Sequence, residues 1–228
     1  MSEWNSNFDY EEENEPEIWD EHQWEDFYRE TDKRTDQYIH LIDKYKGHPD
    51  RNRIIAREMG WTYLRDEDDG DKKRWMDEFD FYEYDEGEEW KSLTDYDITD
   101  FDSFENLPLY QKAFEYTIDA MNMIDEHLAN VDDESINTFG RCVTIPPAKI
   151  AGGFGLGFQM DSLGGNIANC KRGLSAANKM LEALYDIGKK NLLDQETYLN
   201  YYSRGKEIRD GLAIYIIELR ERFRRGIP

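Results

Sequence analysis

The stretch VTIPPAKIAGGFGLGFQMDSLGG, from Val143 to Gly165, places two adjacent prolines before a dense run of glycines. A nucleotide-binding loop has to be tested first, because glycine-rich loops cradle phosphates. A dinucleotide fingerprint counted from Gly153 would need glycine at Phe158, and a Walker loop would need lysine there, directly after Gly157. The stretch therefore predicts a turn between helices, in which glycine lets backbones approach closely.

Apolar residues on both sides of this stretch recur at spacings of three and four, which is the period of a helix packed along its length. The pattern predicts four helices. Their apolar positions are Leu107, Tyr110, Phe114, Thr117, Met121, Ile124, Leu128 and Val131 in helix A; Phe139, Val143, Pro146, Ile150 and Gly153 in helix B; Met160, Leu163, Ile167, Cys170, Leu174, Ala177, Leu181 and Leu184 in helix C; Tyr198, Tyr201, Gly205, Ile208, Leu212, Tyr215 and Leu219 in helix D.

The ends of these helices carry recognisable signals. Asp132, Asp133 or Ser135 is expected to cap the start of helix B, which bends or restarts at Pro146 and Pro147. Gly188 is expected to cap the end of helix C, and Asp194 marks the start of helix D. Four helices with short connections predict an all-α, up-and-down antiparallel four-helix bundle for residues 107–228.

Charge is distributed unevenly along the chain. Residues 107–228 contain 15 Lys and Arg against 16 Asp and Glu, a net charge of −1. Residues 1–106 contain 13 against 35, and so carry −22 of the total net charge of −23. The sequence therefore predicts a second region, an acidic, aromatic-rich N-terminal extension over 1–106, which is partly helical near 18–46 and 49–60.

The chain has only two cysteines, Cys142 and Cys170, and shows neither a signal peptide nor a long apolar run. These features predict a cytoplasmic protein without membrane contact. An extension this acidic repels nucleic acid, so nucleic acid is expected to bind only indirectly or through the near-neutral bundle. No motif calls for a cofactor or a metal.

The proline and glycine stretch also carries a family motif. TIPPAKIAGGFG, residues 144–155, is followed by CKRGLSAA, residues 170–177, on the next helix. This arrangement resembles the four-helix-bundle proteins encoded in intervening sequences of large-subunit ribosomal RNA genes. In that family Ser-Ile-Pro leads to Asn-Ile-Ala-Glu-Gly-Phe-Gly, and this chain departs at Lys149 and Gly152. The matching positions expected to be structural are Ile145, Pro146, Ile150, Ala151, Gly153, Phe154 and Gly155.

The resemblance implies a small helical bundle that assembles into ring-like homo-oligomers, typically pentamers, with no known catalytic site. A related protein is the accessory variability determinant of diversity-generating retroelements, which is similar in fold and serves a reverse transcriptase and its RNA template. That relative is strongly basic, whereas residues 107–228 are near neutral.

The segment from Asp66 to Glu105 contains 18 acidic residues interleaved with aromatic ones. A calcium-binding EF-hand loop beginning at Asp66 does not fit, since Gly70 falls at position five rather than six. Aromatic side chains dominate interface energetics and carboxylates steer towards basic surfaces, so we expect a basic protein partner to bind here. The residues expected to contact it are Trp75, Phe79, Phe81, Tyr82, Tyr84 and Trp90.

The function predicted from these features is a non-enzymatic homo-oligomeric scaffold or adaptor. Its acidic half would recruit a basic partner, for example as an accessory factor of a nucleic-acid enzyme such as a reverse transcriptase. The alternative is a HEPN-like ribonuclease that uses Arg34 and His40, whose Arg-x5-His spacing fits that class. There the histidine would act as acid or base and the arginine would stabilise phosphate charge.

Overall fold

The computed structural model describes residues 17–61 and 103–227, and in these two ranges the regular structure is helical, without strands. Contacts group the described residues into two units. One unit contains Leu107 onward together with residues 17–24, and the other contains residues 25–61 and 103–106. The division of the chain at Leu107 into an extension and a bundle stays a prediction.

Seven α-helices are labelled here in chain order. They are α1 Glu21–Lys44, α2 Arg51–Glu58, α3 Pro108–Met123, α4 Glu134–Val143, α5 Ile145–Leu156, α6 Met160–Lys189 and α7 Gln195–Arg225. A single 3-10 turn, Phe104–Asn106, precedes α3, and a π-helical turn, Ile124–Leu128, follows it. Helix A corresponds to α3 with its π turn, helix B to α4 and α5, helix C to α6 and helix D to α7.

The predicted helix starts are confirmed. Asp133 caps α4 by accepting a hydrogen bond from the backbone N–H of Ser135, and Asp194 caps α7 by accepting one from Thr197. Lys190, just past the end of α6, donates to both carboxylate oxygens of Asp133 at 2.7 Å. The hydrogen bonding from Lys190 is the main cause, and the hydrogen bonds from Ser135 come second, of a pKa of Asp133 that is lowered to about 2. The start of α4 is thereby tied to the end of α6.

The break within helix B is also confirmed, because α4 ends at Val143 and α5 begins at Ile145 with prolines in its first turn. Proline suits this position, where its missing N–H would have no helical partner. The following connection reverses at Gly157, whose φ of 100° strongly favours glycine. The stretch from Val143 to Gly165 therefore contains the end of α4, all of α5, a turn and the start of α6.

Helix α6 is the element on which the unit is organised, since α4, α5 and α7 all pack against it. The apolar positions predicted for helices B to D supply half of the core residues, and Ile150, Leu163 and Leu212 among them are fully buried. Helix α3 packs on α5 and α7. The all-helical fold class is confirmed for the described residues.

Contacts between α6 and α7 occur in opposite order along the two helices. Gly188 near the end of α6 lies against Tyr198 at the start of α7, whereas Gly173 lies against Leu212. Such an order is that of antiparallel neighbours. Where these helices cross, a glycine on one helix receives a large side chain from the other.

The predicted core stripe of helix A was wrong in part. Phe114, Met121 and Val131 are exposed. The residues of α3 buried in their place include Ala113 and Tyr116. The buried stripe is rotated by one residue from the predicted one, because small alanine side chains allow the helices to pack closely. The prediction failed because the larger apolar side chains lie at the neighbouring, exposed positions.

The expectation that Gly188 caps the end of helix C was also wrong. Gly188 lies inside α6, which continues to Lys189, and the positive φ of 55° belongs to Asn191. A Cβ built on Gly188 would come within 2.6 Å of the Tyr198 ring. This glycine is therefore required for packing, and asparagine supplies the left-handed residue.

Leu212→Ala should lower the free energy of unfolding by about 2–5 kcal/mol, because Leu212 is fully buried between helices and its truncation leaves a cavity. Urea denaturation followed by circular dichroism measures the change. Leu199→Ala is the matched control near the start of the same helix, where the leucine side chain is 53% exposed, and a change under about 0.5 kcal/mol is expected. Equal effects of both changes would contradict this assignment of the buried face.

Candidate interaction sites

The residues of the family motif lie on α5, and some of them pack against α6. Ile150 and Gly153 are buried, and a Cβ built on Gly153 would lie 2.6 Å from Oδ1 of Asn166 on α6. Asn166 is fully buried and donates from Nδ2 to the carbonyl of Gly157 at 3.2 Å. Of the other motif residues, Pro146 is buried, Ile145, Ala151 and Phe154 are partly buried, and Gly155 is exposed.

This arrangement gives the motif a structural role in the described unit. Gly153 leaves room for the Asn166 amide, which in turn holds the backbone of the turn at Gly157. Cys170, one helical turn further along α6, donates its thiol to Asn166 Oδ1 at 3.6 Å. Burial raises the pKa of the Cys170 thiol to about 12, so that it stays protonated at neutral pH.

A short segment before the long helices, residues 17–24, belongs to the same unit, and we call it the strap. Its C-terminal half is the first turn of α1. Asp20 and Gln23 cap this turn by hydrogen bonds in both directions. Asp20 Oδ1 accepts from the backbone N–H of Gln23 at 2.9 Å, and Gln23 Oε1 accepts from that of Asp20 at 3.0 Å. This capping box fixes the shape of the strap locally.

Two adjacent glycines of α6 contact the strap. A Cβ built on Gly164 would clash with the carbonyl oxygen of Trp19 and lie 2.9 Å from Cδ1 of Trp24. One built on Gly165 would lie 3.0 Å from Cδ2 of Trp24. The two tryptophan rings meet edge to face, with centroids 5.6 Å apart. The strap thus lies where the helix surface is bare backbone.

Glu21 anchors the strap through an ion pair with the C-terminal part of α7. Its two carboxylate oxygens accept hydrogen bonds of 2.8 and 2.6 Å from the Arg220 guanidinium, and Lys171 on α6 lies 3.4 Å away. The Glu21 side chain is only 13% exposed. Burial acts to raise its pKa, but the Arg220 hydrogen bond and both cationic charges outweigh burial and lower it. The geometry is bidentate, the strongest form of such a pair.

A second polar cluster joins α3 to α7. Arg204 pairs with Asp119 at 2.6 Å and lies over the ring of Tyr116, 5.5 Å from its centroid. The Tyr116 hydroxyl donates to the carbonyl of Tyr201, whose own hydroxyl donates to the carbonyl of Asp119. Burial raises the pKa of Tyr116 well above its usual range. Every group in this cluster has a partner, so the cluster stabilises the contact between the helices.

Two concave regions lie on the described helices of this unit. A pocket of about 240 Å³ adjoins the π turn and is lined by polar groups that include Asn122, Glu126 and His127. A groove of about 550 Å³ lies between α6 and α7, with Tyr185 and Tyr202 among its lining residues. The described residues form no group of three metal-ligating side chains. Both regions are polar or mixed in character.

Large apolar side chains are exposed on two helices. On α3 the exposed positions include Phe114 and Ile118, each nearly half exposed. On α7, Ile214 and Ile217 are 59% and 60% exposed. Helical periodicity places the α3 pair on the side of that helix away from α7, which α3 contacts through residues such as Leu109. The unit therefore presents two separate apolar faces.

The residues of the ribonuclease alternative both lie on α1 and are exposed. Arg34 and His40 are six positions apart on this helix, which corresponds to about 9 Å along the axis and about 120° around it. Within one copy of α1 the two side chains are therefore not brought together. The ribonuclease interpretation stays a prediction.

All six aromatic residues predicted to contact a partner lie outside the described residues, and so does the predicted acidic segment up to residue 102. These six are Trp75, Phe79, Phe81, Tyr82, Tyr84 and Trp90.

Comparisons with protein-family models, with curated proteins and with solved structures found no match. The resemblance to the proteins encoded in ribosomal RNA intervening sequences therefore stays a prediction. Across residues 17–61 and 103–227, no helix combines the length and the apolar character needed to cross a bilayer.

Gly164→Ala should release the strap without weakening the helices beneath it. The three atoms nearest to the added Cβ all belong to the strap, while alanine within a helix is favoured over glycine by roughly 0.5–1 kcal/mol. Hydrogen-exchange mass spectrometry should show faster exchange in residues 17–24, and the urea midpoint should stay the same or rise. Gly155→Ala is the control, because a Cβ there meets no described neighbouring side chain within 4 Å. Unchanged protection of the strap in Gly164→Ala would refute its docking on this glycine.

Acid should also loosen the strap. The folded pKa of Glu21 lies below its ordinary value of 4.5, so its contribution is complete above about pH 4.5 and is lost as the pH falls through the lowered folded value. Strap exchange rates, corrected for intrinsic pH effects, should rise in the wild type over this range. In Glu21→Gln the strap should already exchange faster at pH 7, with a smaller further rise in acid. Identical profiles for the two proteins would contradict the ion-pair anchor.

Proposed function

We propose that this protein is a non-enzymatic homo-oligomeric scaffold or adaptor, built on an up-and-down antiparallel four-helix bundle that assembles into a ring. The observation that carries the proposal is the pair of separate apolar faces on α3 and α7. Groups of large apolar side chains exposed on a protein surface are typical of protein interaction sites. The opposite order of contacts between α6 and α7 supports the antiparallel arrangement.

Two different faces suit a ring better than a simple dimer. A two-fold dimer uses one self-complementary patch, whereas a closed ring places one face of each subunit against a different face of the next. The α3 face around Phe114 and the α7 face around Ile217 would be these complementary surfaces. The pentameric state rests on the family resemblance.

The acidic half supplies the adaptor activity in this proposal. Residues 1–106 carry a net charge of −22, which costs self-repulsion that a basic protein partner would relieve. A partner of a nucleic-acid enzyme, such as a reverse transcriptase, would present such a basic surface. Nucleic acid would then be bound by the partner, or through the near-neutral residues 107–228.

The assembly is tested by light scattering on the full chain. The wild type should have a mass several times that of one chain, and Ile214→Glu with Ile217→Glu should reduce it, because two carboxylates would be buried in an apolar interface. The control is Ser175→Glu with Asn200→Glu, which adds the same charge at exposed positions outside the two faces. A wild type that is monomeric at every concentration would overturn the proposed assembly.

The adaptor activity is tested by replacing Phe79, Phe81, Tyr82 and Trp90 with Ala at constant charge. Basic proteins retained from a cell extract by the immobilised wild type should be depleted with the variant, and their binding should weaken with salt without vanishing. Mass spectrometry with isotope labelling quantifies both. Equal retention by both proteins would show that the acidic segment acts through charge alone.

A further inference from the structure

We propose that the groove between α6 and α7 binds an arginine side chain of the basic partner. The guanidinium lies against the tyrosine rings of the groove and pairs with the carboxylates of α6. This inference rests on the proposed adaptor function and deepens it by naming a contact within residues 107–228. The occupant is an arginine-bearing segment of a basic protein, the class of partner that complements a net charge of −23.

The groove arises from the antiparallel packing of the two helices. They approach most closely where Gly188 meets Tyr198 and where a Cβ built on Gly205 would lie 3.1 Å from Cδ2 of Leu181. The groove has a volume of about 550 Å³, within the roughly 300–1,000 Å³ that is usual for ligand sites. Four of its lining residues lie between these two contacts along the helices: Glu182, Tyr185, Asp186 and Tyr202.

Two tyrosines give the groove an aromatic surface. Tyr185 of α6 is 55% exposed, and Tyr202 of α7 packs on Tyr198 with ring centroids 5.6 Å apart. Burial is the main cause of a raised pKa of Tyr198, and the neighbouring Tyr202 and Tyr185 add to it, so the three tyrosines lie close together. A guanidinium suits such a surface, because it is a planar cation that stacks on aromatic rings.

Glu182 and Asp186 place negative charge beside these rings. The two residues are one helical turn apart on α6, and both are exposed. Within residues 17–61 and 103–227, neither carboxylate forms an ion pair with a cation. Both carboxylates are therefore available to accept hydrogen bonds from a guanidinium, whose forked donors match carboxylate geometry.

The opposite wall of the groove carries the cations Lys206 and Arg209 on α7. Arg209 forms an ion pair with Asp210, with 2.6 Å between Nε and Oδ1. Asp210 compensates the charge of Arg209, so that two carboxylates of α6 face one remaining ammonium group. The net charge at the groove attracts a cation and repels phosphate, which favours a protein side chain over nucleic acid as the occupant.

Fluorescence anisotropy on the full chain tests the carboxylates, with a labelled peptide that carries several arginines separated by glycine and serine. Glu182→Gln with Asp186→Asn should weaken its binding about three- to ten-fold. The matched control is Glu115→Gln with Asp125→Asn, which removes the same charge at exposed positions on α3 and its π turn. At physiological salt the control should change the affinity less than about two-fold. Equal weakening by both pairs would show a general effect of charge and overturn the proposal.

Tyr185→Ala tests the aromatic contact at constant charge. Its affinity for the arginine peptide should fall by about two- to five-fold, and its affinity for a peptide with lysine in place of arginine should fall less. Tyr185→Phe is the matched control, because it keeps the ring and should keep the affinity of the wild type. Equal affinities of Tyr185→Ala and Tyr185→Phe for the arginine peptide would overturn the aromatic contact.

Failure of this inference can be told apart from failure of the proposed function. If basic proteins are lost from the variant of the acidic segment while the groove variants bind the arginine peptide as the wild type does, the adaptor stands and the groove is overturned. Light scattering on Glu182→Gln with Asp186→Asn should give the mass of the wild type. A lower mass would show that the groove holds a second copy of the chain, and would overturn the basic partner as its occupant.

Discussion

The burial of α6 is the constraint on which the rest of the structure depends. This helix of 30 residues has α4, α5 and α7 packed on it. Where these helices approach it closely, there is no room for a large side chain. Close-packed interiors demand complementary shapes, and here glycine provides them. Gly173 faces Leu212 and Lys149, while Gly205 of α7 faces Met180. Gly153, from the stretch that first suggested a ligand loop, likewise leaves room for Asn166 of α6. Glycines on these helices thus set the distances between them.

The parts of the fold that the sequence predicted well are those in which one apolar stripe stands out. The apolar positions of α6 and α7 alternate by three and four between polar neighbours, and Leu184 and Leu212 are fully buried as that pattern requires. In α3 two stripes compete, because Phe114 and Met121 lie one position after Ala113 and Ala120. Hydrophobicity favoured the first pair, whereas close packing selected the alanines.

The strap could not be predicted in the same way, because its contacts join residues that are far apart in the chain. Glu21 and Arg220 are separated by 199 positions, and nothing in the local pattern of either indicates the other. Local signals did exist, since Asp20-x-x-Gln23 is a capping box and Gly164-Gly165 interrupts a long helix where alanine would be favoured. Each signal indicates a special position, yet only the structure shows that the two positions meet.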